Sequence, residues 1–380
     1  MKKIIALLKK DIMLSVALLA ALISFFIAPP SWERLAGIDY HTLGSLFMML
    51  CVLEGFKKEN LLRPVVLLSS RFKTMTGLSL FLVFGVFFSS MFVTNDVSLI
   101  IFVPLTILLF RGGREAYILP VISLENIAAV RGSLLMPFGS PQNLFLYGKF
   151  GVSAGHFMLH MAPLCVLSGL LLIGFILLLY RKEPKLSVPA LQQEAAAPWL
   201  KEHKKKRLFY LFLFIFVLTV ILSRTAYWIP AVCLVAALVL LLDPQLFKRV
   251  DFALLFTFFC FFLFSSAITA NESIAGFLRR SVAGHEYWWS IGLSQLISNV
   301  PASIVLYPFS ENYAGLIYGL DTAGLCSLIG SLASVINYRL YVREFPGNGG
   351  LFIKTFTLIS WAFFALVVIP GLLLSRWPFF

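Results

Sequence analysis

The stretch GLSLFLVFGVFFSSMFVTNDVSLIIFVPLTILLF, residues 77–110, is largely apolar and carries Thr94, Asn95 and Asp96 side by side at its centre. A carboxylate and an amide are costly to bury in apolar surroundings, so they normally face a cavity, an ion or a polar partner. We therefore predict that residues 94–96 form a substrate or ion site and interrupt the apolar segment.

A second polar interruption of the same kind lies farther along the chain. Ser298 and Asn299 stand between apolar stretches. Pro308 follows Asn299 by nine residues, just as Pro104 follows Asn95. The matching pattern indicates an internal duplication built around two polar tips.

Composition places the chain among membrane proteins. Hydrophobic residues make up 59% of its 380 residues, charged residues make up 13%, and the mean hydropathy is +0.90. These values lie outside the range of soluble globular domains and predict an all-α, polytopic membrane protein. We expect the first apolar segment to be a retained helix, because no small-x-small cleavage pattern follows it. The apolar segments are 12–28, 42–56, 76–110, 117–137, 157–180, 208–223, 229–242, 252–270, 287–309, 314–329 and 352–375.

Basic residues set the predicted orientation. The net charge is +13, but lysine and arginine fall between apolar segments rather than on a soluble domain, which argues against nucleic-acid binding. With nine crossings and a cytoplasmic N-terminus, the cytoplasmic stretches hold 24 of these residues and the outer side holds six. This excess is the usual topology signal. We expect an integral protein of the plasma (cytoplasmic) membrane, with its C-terminus outside.

The segments 76–110 and 287–309 are predicted to be re-entrant hairpins. Arms of 17 and 14 residues flank the first tip, or about 25 Å and 21 Å of helix against a bilayer core of about 30 Å. The charged residues on either side of each hairpin predict that the first enters the membrane from the cytoplasm and the second from the outside. The alternative for the first is two short helices with a surface turn at Thr94.

Opposite hairpin orientations predict inverted repeats, with about nine full crossings in all. Many secondary transporters use such repeats to alternate access to a site near the bilayer midplane. The predicted divisions are a first repeat at 1–180, a cytoplasmic linker at 181–207, an extra crossing at 208–228 and a second repeat at 229–380.

Each repeat also contains a predicted broken helix, at 117–147 and at 314–341. Two prolines and a glycine in 137–143 cannot continue regular helix, and the Gly-Ser pair of that break recurs at 330–331. Unwound backbone can coordinate a cation, and the N-terminus of the resumed helix can attract an anion. Alternatively, 117–136 spans the membrane and 139–143 is an outer loop. The candidate ligands at the breaks are Ser140, Gln142, Asn143, Ser331, Ser334 and Asn337.

These residues resemble the signatures of the ion transporter superfamily, and within it of the citrate-transporter-like and divalent anion:sodium symporter families. Members have inverted repeats, a Ser-Asn-Thr type signature at each hairpin tip and a Gly-Thr/Ser-Pro-Pro-Asn type signature in a broken helix. Here the tips are Thr94-Asn95-Asp96 and Ser298-Asn299-Val300, and 139–143 matches the first broken helix. The resemblance implies an elevator or rocking mechanism, two sodium sites at the tips and breaks, and an anion held between Asn95 and Asn299.

Asp96 departs from that signature and leaves two functions open. An extra acid near an anion site repels the anion unless it is protonated or holds a cation. In the first interpretation the chain is a carboxylate symporter in which Asp96 binds the coupling Na⁺ or H⁺. In the second it is a sodium/proton antiporter or an arsenite-type anion exporter of the same superfamily.

Two further charged residues lie within the first broken helix. Glu125 and Arg131 are six residues apart and occupy different faces, so each is expected to find a partner outside its helix. Arg131 either binds a substrate carboxylate or pairs with Asp96 or Glu125. Glu54 is expected to pair at the membrane interface with the adjacent Lys57 or Lys58.

Enzyme functions find little support in the sequence. The five cysteines are scattered through apolar segments without metal-ligand spacing, and His156 and His160 lack further ligands. An intramembrane hydrolase would need a nucleophile and a base at one depth. No phosphate loop indicates an ATP motor, so an ion gradient should supply the energy. We expect no cofactor, metal site or nucleic-acid partner; the expected partners are a small anion, a coupling cation, the lipid bilayer and a second copy in a homodimer.

Overall fold

Helices form nearly all of the ordered secondary structure in the computed structural model, which describes residues 12–29, 31–61, 68–111, 114–183, 185–187 and 204–377. Most of the predicted linker and the first eleven residues lie outside this part of the chain. The helices of the first half are α1 (Ile12–Ile27), α2 (Trp32–Ala36), α3 (Tyr40–Lys58), α4 (Met75–Val93), α5 (Asn95–Phe110), α6 (Ile118–Gly132), α7 (Pro141–Phe150) and α8 (Ala154–Leu179).

The second half continues with ten helices among the described residues. The first five are α9 (Lys204–Ser223), α10 (Trp228–Leu242), α11 (Pro244–Phe247), α12 (Phe252–Ala270) and the amphipathic α13 (Glu272–Val282). They are followed by α14 (Glu286–Ile297), α15 (Asn299–Leu306), α16 (Tyr313–Ala323), α17 (Leu332–Glu344) and α18 (Gly349–Leu374). The chain is therefore an all-α polytopic membrane protein.

Among the described residues, five helices are long and apolar enough to cross a membrane: α4, α8, α9, α12 and α18. For α4 this changes the length argument made from the sequence. The first arm was predicted to hold 17 residues, but α4 has 19, or about 28 Å of helix. Length alone therefore does not decide whether α4 spans the bilayer or returns within it, and the re-entrant hairpin stays a prediction.

The two halves pack against each other through elements at corresponding positions. The helix that opens each predicted repeat, α1 or α10, lies against the second long helix of the other predicted repeat, α12 or α3. Likewise, α7 packs against α15, and α17 packs against α5. Reciprocal contacts of this kind are what a two-fold relation between repeats produces, and they interlock the halves.

The turns at the tips of the two predicted hairpins have the same unusual backbone conformation. Thr94 joins α4 to α5 with φ 69° and ψ 158°, and Ser298 joins α14 to α15 with φ 71° and ψ 158°. This region of backbone space is essentially reserved for glycine. Each turn is a single residue, so the predicted three-residue tip is wrong in one detail: Asn95 and Asp96 already belong to α5. The helix restarts at once because the Thr94 carbonyl accepts the Ser98 N–H at 3.3 Å.

Both predicted broken helices are interrupted. The first unwinds between Gly132 and Pro141, and the second between Ala323 and Leu332. Backbone comes very close in each break: a Cβ on Gly139 would lie 2.1 Å from the Ser133 carbonyl oxygen, and one on Gly330 would lie 2.4 Å from that of Ala323. Only glycine fits these positions. The alternative in which regular helix continues to residue 136 is therefore not the observed structure.

An ion pair joins the C-terminal end of α7, the second part of the first broken helix, to the start of α3. Lys149 Nζ, in the last turn of α7, lies 2.7 Å from Asp39 Oδ2. Asp39 also caps α3 by accepting the Thr42 N–H at 2.9 Å. Burial alone would raise the pKa of Asp39, but the Lys149 ammonium and the Thr42 N–H outweigh it and hold the pKa below its ordinary 3.8.

The close approach at the breaks predicts that Gly139→Ala and Gly330→Ala are each destabilising. The added methyl must displace backbone, which costs on the order of 1–3 kcal/mol. Gly174→Ala in α8 is the matched control, since no described heavy atom outside its own helix lies within 4 Å of the place that the added methyl would occupy. Melting temperatures of the purified variants should fall for the first two and hold or rise for the control. Equal behaviour of all three would contradict the packing argument.

The lowered Asp39 pKa predicts a pH-dependent contribution to stability. A carboxylate with a depressed folded-state pKa stabilises the fold above its ordinary pKa, and this contribution is lost as pH falls through the lower folded value. Asp39→Asn should therefore melt below the wild type at pH 7, and the gap should close as pH falls below 3.8. Glu33→Gln, at an exposed carboxylate on α2, serves as the control. A gap that persists at low pH would show that the charge is not responsible.

Candidate functional site

The candidate site lies where the two broken helices meet. Gln142, in the first turn of α7, donates from Nε2 to Asp321 Oδ1 of α16 at 3.1 Å. Asn337 of α17 donates from Nδ2 to the Ile122 carbonyl of α6 at 2.7 Å. The helix that follows each break thus bonds to the helix that precedes the other break. These bonds bring the two halves of the chain into one polar centre.

Polar side chains also hold the first break in shape. Ser140 Oγ accepts the Asn143 N–H at 3.4 Å and caps α7. Asn143 Nδ2 donates to the carbonyls of Ser133 and Leu134, both at 3.4 Å. Side-chain amides therefore satisfy carbonyls that the unwound backbone leaves without helical partners.

The second tip is tied to the second break. The N–H of Asn299 donates to the Gly330 carbonyl at 3.2 Å. Gln295 of α14 strengthens this link, because its Nε2 donates to the Ala323 carbonyl at 3.2 Å and its Oε1 accepts from Ser327 Oγ at 2.7 Å. Movement of this tip must therefore be shared by the break beside it.

The first tip is organised within its own turn. Asn95 Oδ1 accepts the Asp96 N–H at 3.0 Å, and Ser98 Oγ donates to the Thr94 carbonyl at 3.0 Å. Asp96 Oδ1 has no hydrogen-bond partner among the described residues. Within the described chain, no hydrogen bond joins the two tips directly.

Arg131 has partners that the sequence did not predict. The side chain is fully buried; its Nε donates to Ser168 Oγ at 2.9 Å and one terminal nitrogen donates to the Asp321 carbonyl at 3.2 Å. The hypothesis that Arg131 pairs with Asp96 or Glu125 is wrong for the described structure. Its acidic neighbour is Asp321, which lies in the other half of the chain and so cannot be found from spacing within one helix.

Glu125 and Asn126 lie side by side on α6 and are fully buried. Glu125 accepts a hydrogen bond from the Thr106 hydroxyl of α5. Asn126 donates from Nδ2 to Ser334 Oγ of α17 at 3.0 Å, so the predicted ligand Ser334 is bonded to the other half of the chain. At the membrane interface Glu54 pairs with Lys57 at 2.5 Å, as expected, whereas Lys58 pairs with Asp243.

Several buried oxygens around this centre remain available to accept a hydrogen bond. A buried polar atom without a partner is costly, so it marks strain or a place for a solute. The described residues contain no group of three or more His, Cys, Asp or Glu side chains that could hold a metal ion. The oxygens without a described partner belong to Asp96, Glu125, Asn126, Asn143, Asp321 and Asn337.

Sequence reasoning missed several residues of this centre, among them Asp321, Gln295, Ser327, Asn126 and Ser168. Asp321 did carry a signal, because it is a lone carboxylate in the apolar segment 314–329, the same argument that singled out Asp96. Gln295 and Ser327 are neutral, and their neighbours in the sequence give no indication that they meet across 32 residues.

Comparison with known proteins gives consistent results. A family model described as "Citrate transporter" matches residues 4–317. "Inner membrane protein YbiR" of Escherichia coli strain K12 is 33% identical over 329 residues, covering 84% of each chain. "Uncharacterized transporter MJ0456" of Methanocaldococcus jannaschii is 27% identical over 328 residues, covering 85% of each chain.

The backbone at the tips predicts that Thr94→Gly is stabilising. Relief of strain of about 1–3 kcal/mol exceeds the conformational entropy cost of glycine, about 0.5–1 kcal/mol. Thr74→Gly is the matched control: Thr74 caps α4 with an ordinary extended backbone, φ −111°, and should lose a few tenths of a kcal/mol. Thermal unfolding in detergent measures both. A Thr94→Gly variant that melts below Thr74→Gly would show that the tip is not strained.

Proposed function

The chain belongs to the citrate transporter family, and we propose that it moves a small citrate- or dicarboxylate-like anion across the plasma membrane, driven by a Na⁺ or H⁺ gradient. Membership of this family makes the protein a membrane transporter and not an enzyme. The observation that carries the finer proposal is the pair of tips, in which Thr94 and Ser298 share one strained backbone conformation beside two crossing broken helices.

The anion site of this proposal lies between the tips. Asn95 and Asn299 are buried at corresponding positions, each at the first residue of a helix. Helix N-termini present free N–H groups and a partial positive charge, which favour carboxylate binding. Two such N-termini approaching from opposite repeats suit a substrate with more than one carboxylate.

Alternating access follows from the inverted-repeat arrangement that we propose for 1–180 and 229–380. In this scheme the N-terminus is cytoplasmic, the C-terminus is outside, and the helices α4–α5 and α14–α15 are hairpins that open to opposite sides. The reciprocal packing of α1 on α12 and α10 on α3 supports this assignment. So do the matched dihedrals of the tips, since two unrelated turns have no reason to share a rare conformation.

Transport into proteoliposomes tests the proposal. Labelled citrate and succinate should accumulate when an inward Na⁺ or H⁺ gradient is imposed on vesicles that contain the purified protein. Asn95→Ala and Asn299→Ala should each reduce uptake by about tenfold or more, because loss of a hydrogen bond to a charged group costs about 1.5–3 kcal/mol.

Asn348→Ala is the matched control, since Asn348 is exposed at the start of α18 and makes no side-chain capping bond there. Its uptake should equal that of the wild type. Sodium-driven proton movement without uptake of either anion would contradict the symporter proposal and favour an antiporter.

A further inference from the structure

Two opposite charges meet where the broken helices cross, one from each repeat. Arg131 lies in the last turn of α6, and Asp321 lies in the last turn of α16. Both are essentially inaccessible to solvent, at 0% and 1% exposure. Charges buried this deeply must compensate each other, because an isolated one costs several kcal/mol.

The two charges are near each other, but each side chain keeps one polar atom without a hydrogen-bond partner among the described residues. Asp321 Oδ1 accepts from Gln142, but Oδ2 has no hydrogen-bond partner among the described residues. One terminal nitrogen of Arg131 bonds to the Asp321 carbonyl, and the other has no described partner. The described atoms of the two side chains form no ion pair within 4 Å. The carboxylate is therefore held near the guanidinium without being locked to it.

The surroundings of Asp321 suit a proton better than an alkali cation. Arg131 opposes the approach of any positive charge to Oδ2, but a proton needs only this one oxygen. The described partner of Oδ1 is the Gln142 amide N–H, which is a donor, and the Asn143 side chain also acts on this carboxyl group. Cation sites need converging oxygens instead.

The titratable groups that act on Arg131 besides Asp321 come from three helices. They are Tyr287 of α14, Cys165 of α8, and Tyr318 of the same helix as Asp321. Tyr318 also interacts with Asp321 itself. The Tyr318 hydroxyl donates to the carbonyl of His160 on α8, and His160 Nε2 lies 2.7 Å from the Trp377 carbonyl. These groups run from Asp321 toward the end of α8 that the charge pattern places outside.

From this geometry we infer that Asp321 carries the coupling proton of the proposed transport function, and that its protonation frees Arg131 to attract the anion. The proton adds to Oδ2 and converts the carboxylate to a neutral acid. Arg131 is then a buried cation without a counter-charge, and an entering carboxylate restores the balance. By linkage the anion strengthens proton binding by the same factor, so the two bind and leave together.

Asp321→Asn separates coupling from anion movement. The amide imitates the neutral acid, so the variant should exchange labelled for unlabelled succinate or citrate at equal pH at a rate within about threefold of wild type. A one-unit inward pH gradient holds about tenfold accumulation per proton in the wild type, with the membrane potential clamped. The variant should fall to no accumulation. Accumulation equal to that of the wild type would overturn the inference.

Two further variants keep the result interpretable. Glu286→Gln is the matched control: Glu286 is buried in the same half, but its Oε1 accepts the backbone N–H groups of Glu311 and Asn312, bonds that an amide oxygen can keep. It should retain accumulation. If Asp321→Asn fails to fold, Asp321→Glu restores a titratable acid and should accumulate anion; an Asp321→Glu protein that exchanges but does not accumulate would contradict the inference.

Infrared difference spectroscopy of the full chain tests the proton itself, without any assumption about the substrate. A carbonyl band of the protonated acid should appear and disappear reversibly as the pH is changed in the wild type, vanish in Asp321→Asn and shift in frequency in Asp321→Glu. A side chain that keeps one protonation state throughout would overturn the inference. If the band titrates but no gradient drives citrate or succinate uptake, the proposed substrate fails and the proton site stands.

Discussion

The structure depends on one constraint: a helix that stops inside an apolar interior leaves backbone groups that water cannot reach. Both broken helices meet this constraint with side chains. Asn143 donates a hydrogen bond to a carbonyl of its own break, and Asn337 donates one to the Ile122 carbonyl in the other half of the chain. Because such bonds run between the halves, both halves are needed to form the centre.

The polar centre separates into groups that hold the fold and groups that remain available. Ser140, Gln142 and Gln295 are engaged through hydrogen bonds that fix helix ends and breaks. Asp96 Oδ1 and Asp321 Oδ2 accept no such hydrogen bond within the described chain. A transporter needs bonded groups to hold its fold and unbonded groups to bind a solute, since a group that is already hydrogen-bonded must lose that bond before it can bind.

Strain at the tips fits a protein with more than one conformation. Thr94 and Ser298 occupy a backbone region that costs energy for any residue with a side chain. The second tip also shares a hydrogen bond with its break through Asn299 and Gly330. That hydrogen bond is a physical link between the second tip and α16, the helix of Asp321, which ends at the same break.

The sequence by itself determined the class, the number of polar interruptions and their places, because apolar length and buried polar residues are local properties. It placed both tips to within a residue or two, but both breaks begin about four to six residues earlier than predicted. Only the tertiary structure decided which polar groups meet. Arg131 and Asp321 are 190 residues apart and lie in different halves of the chain, so their pairing depends on how two helices cross, and no periodicity along one segment contains that information.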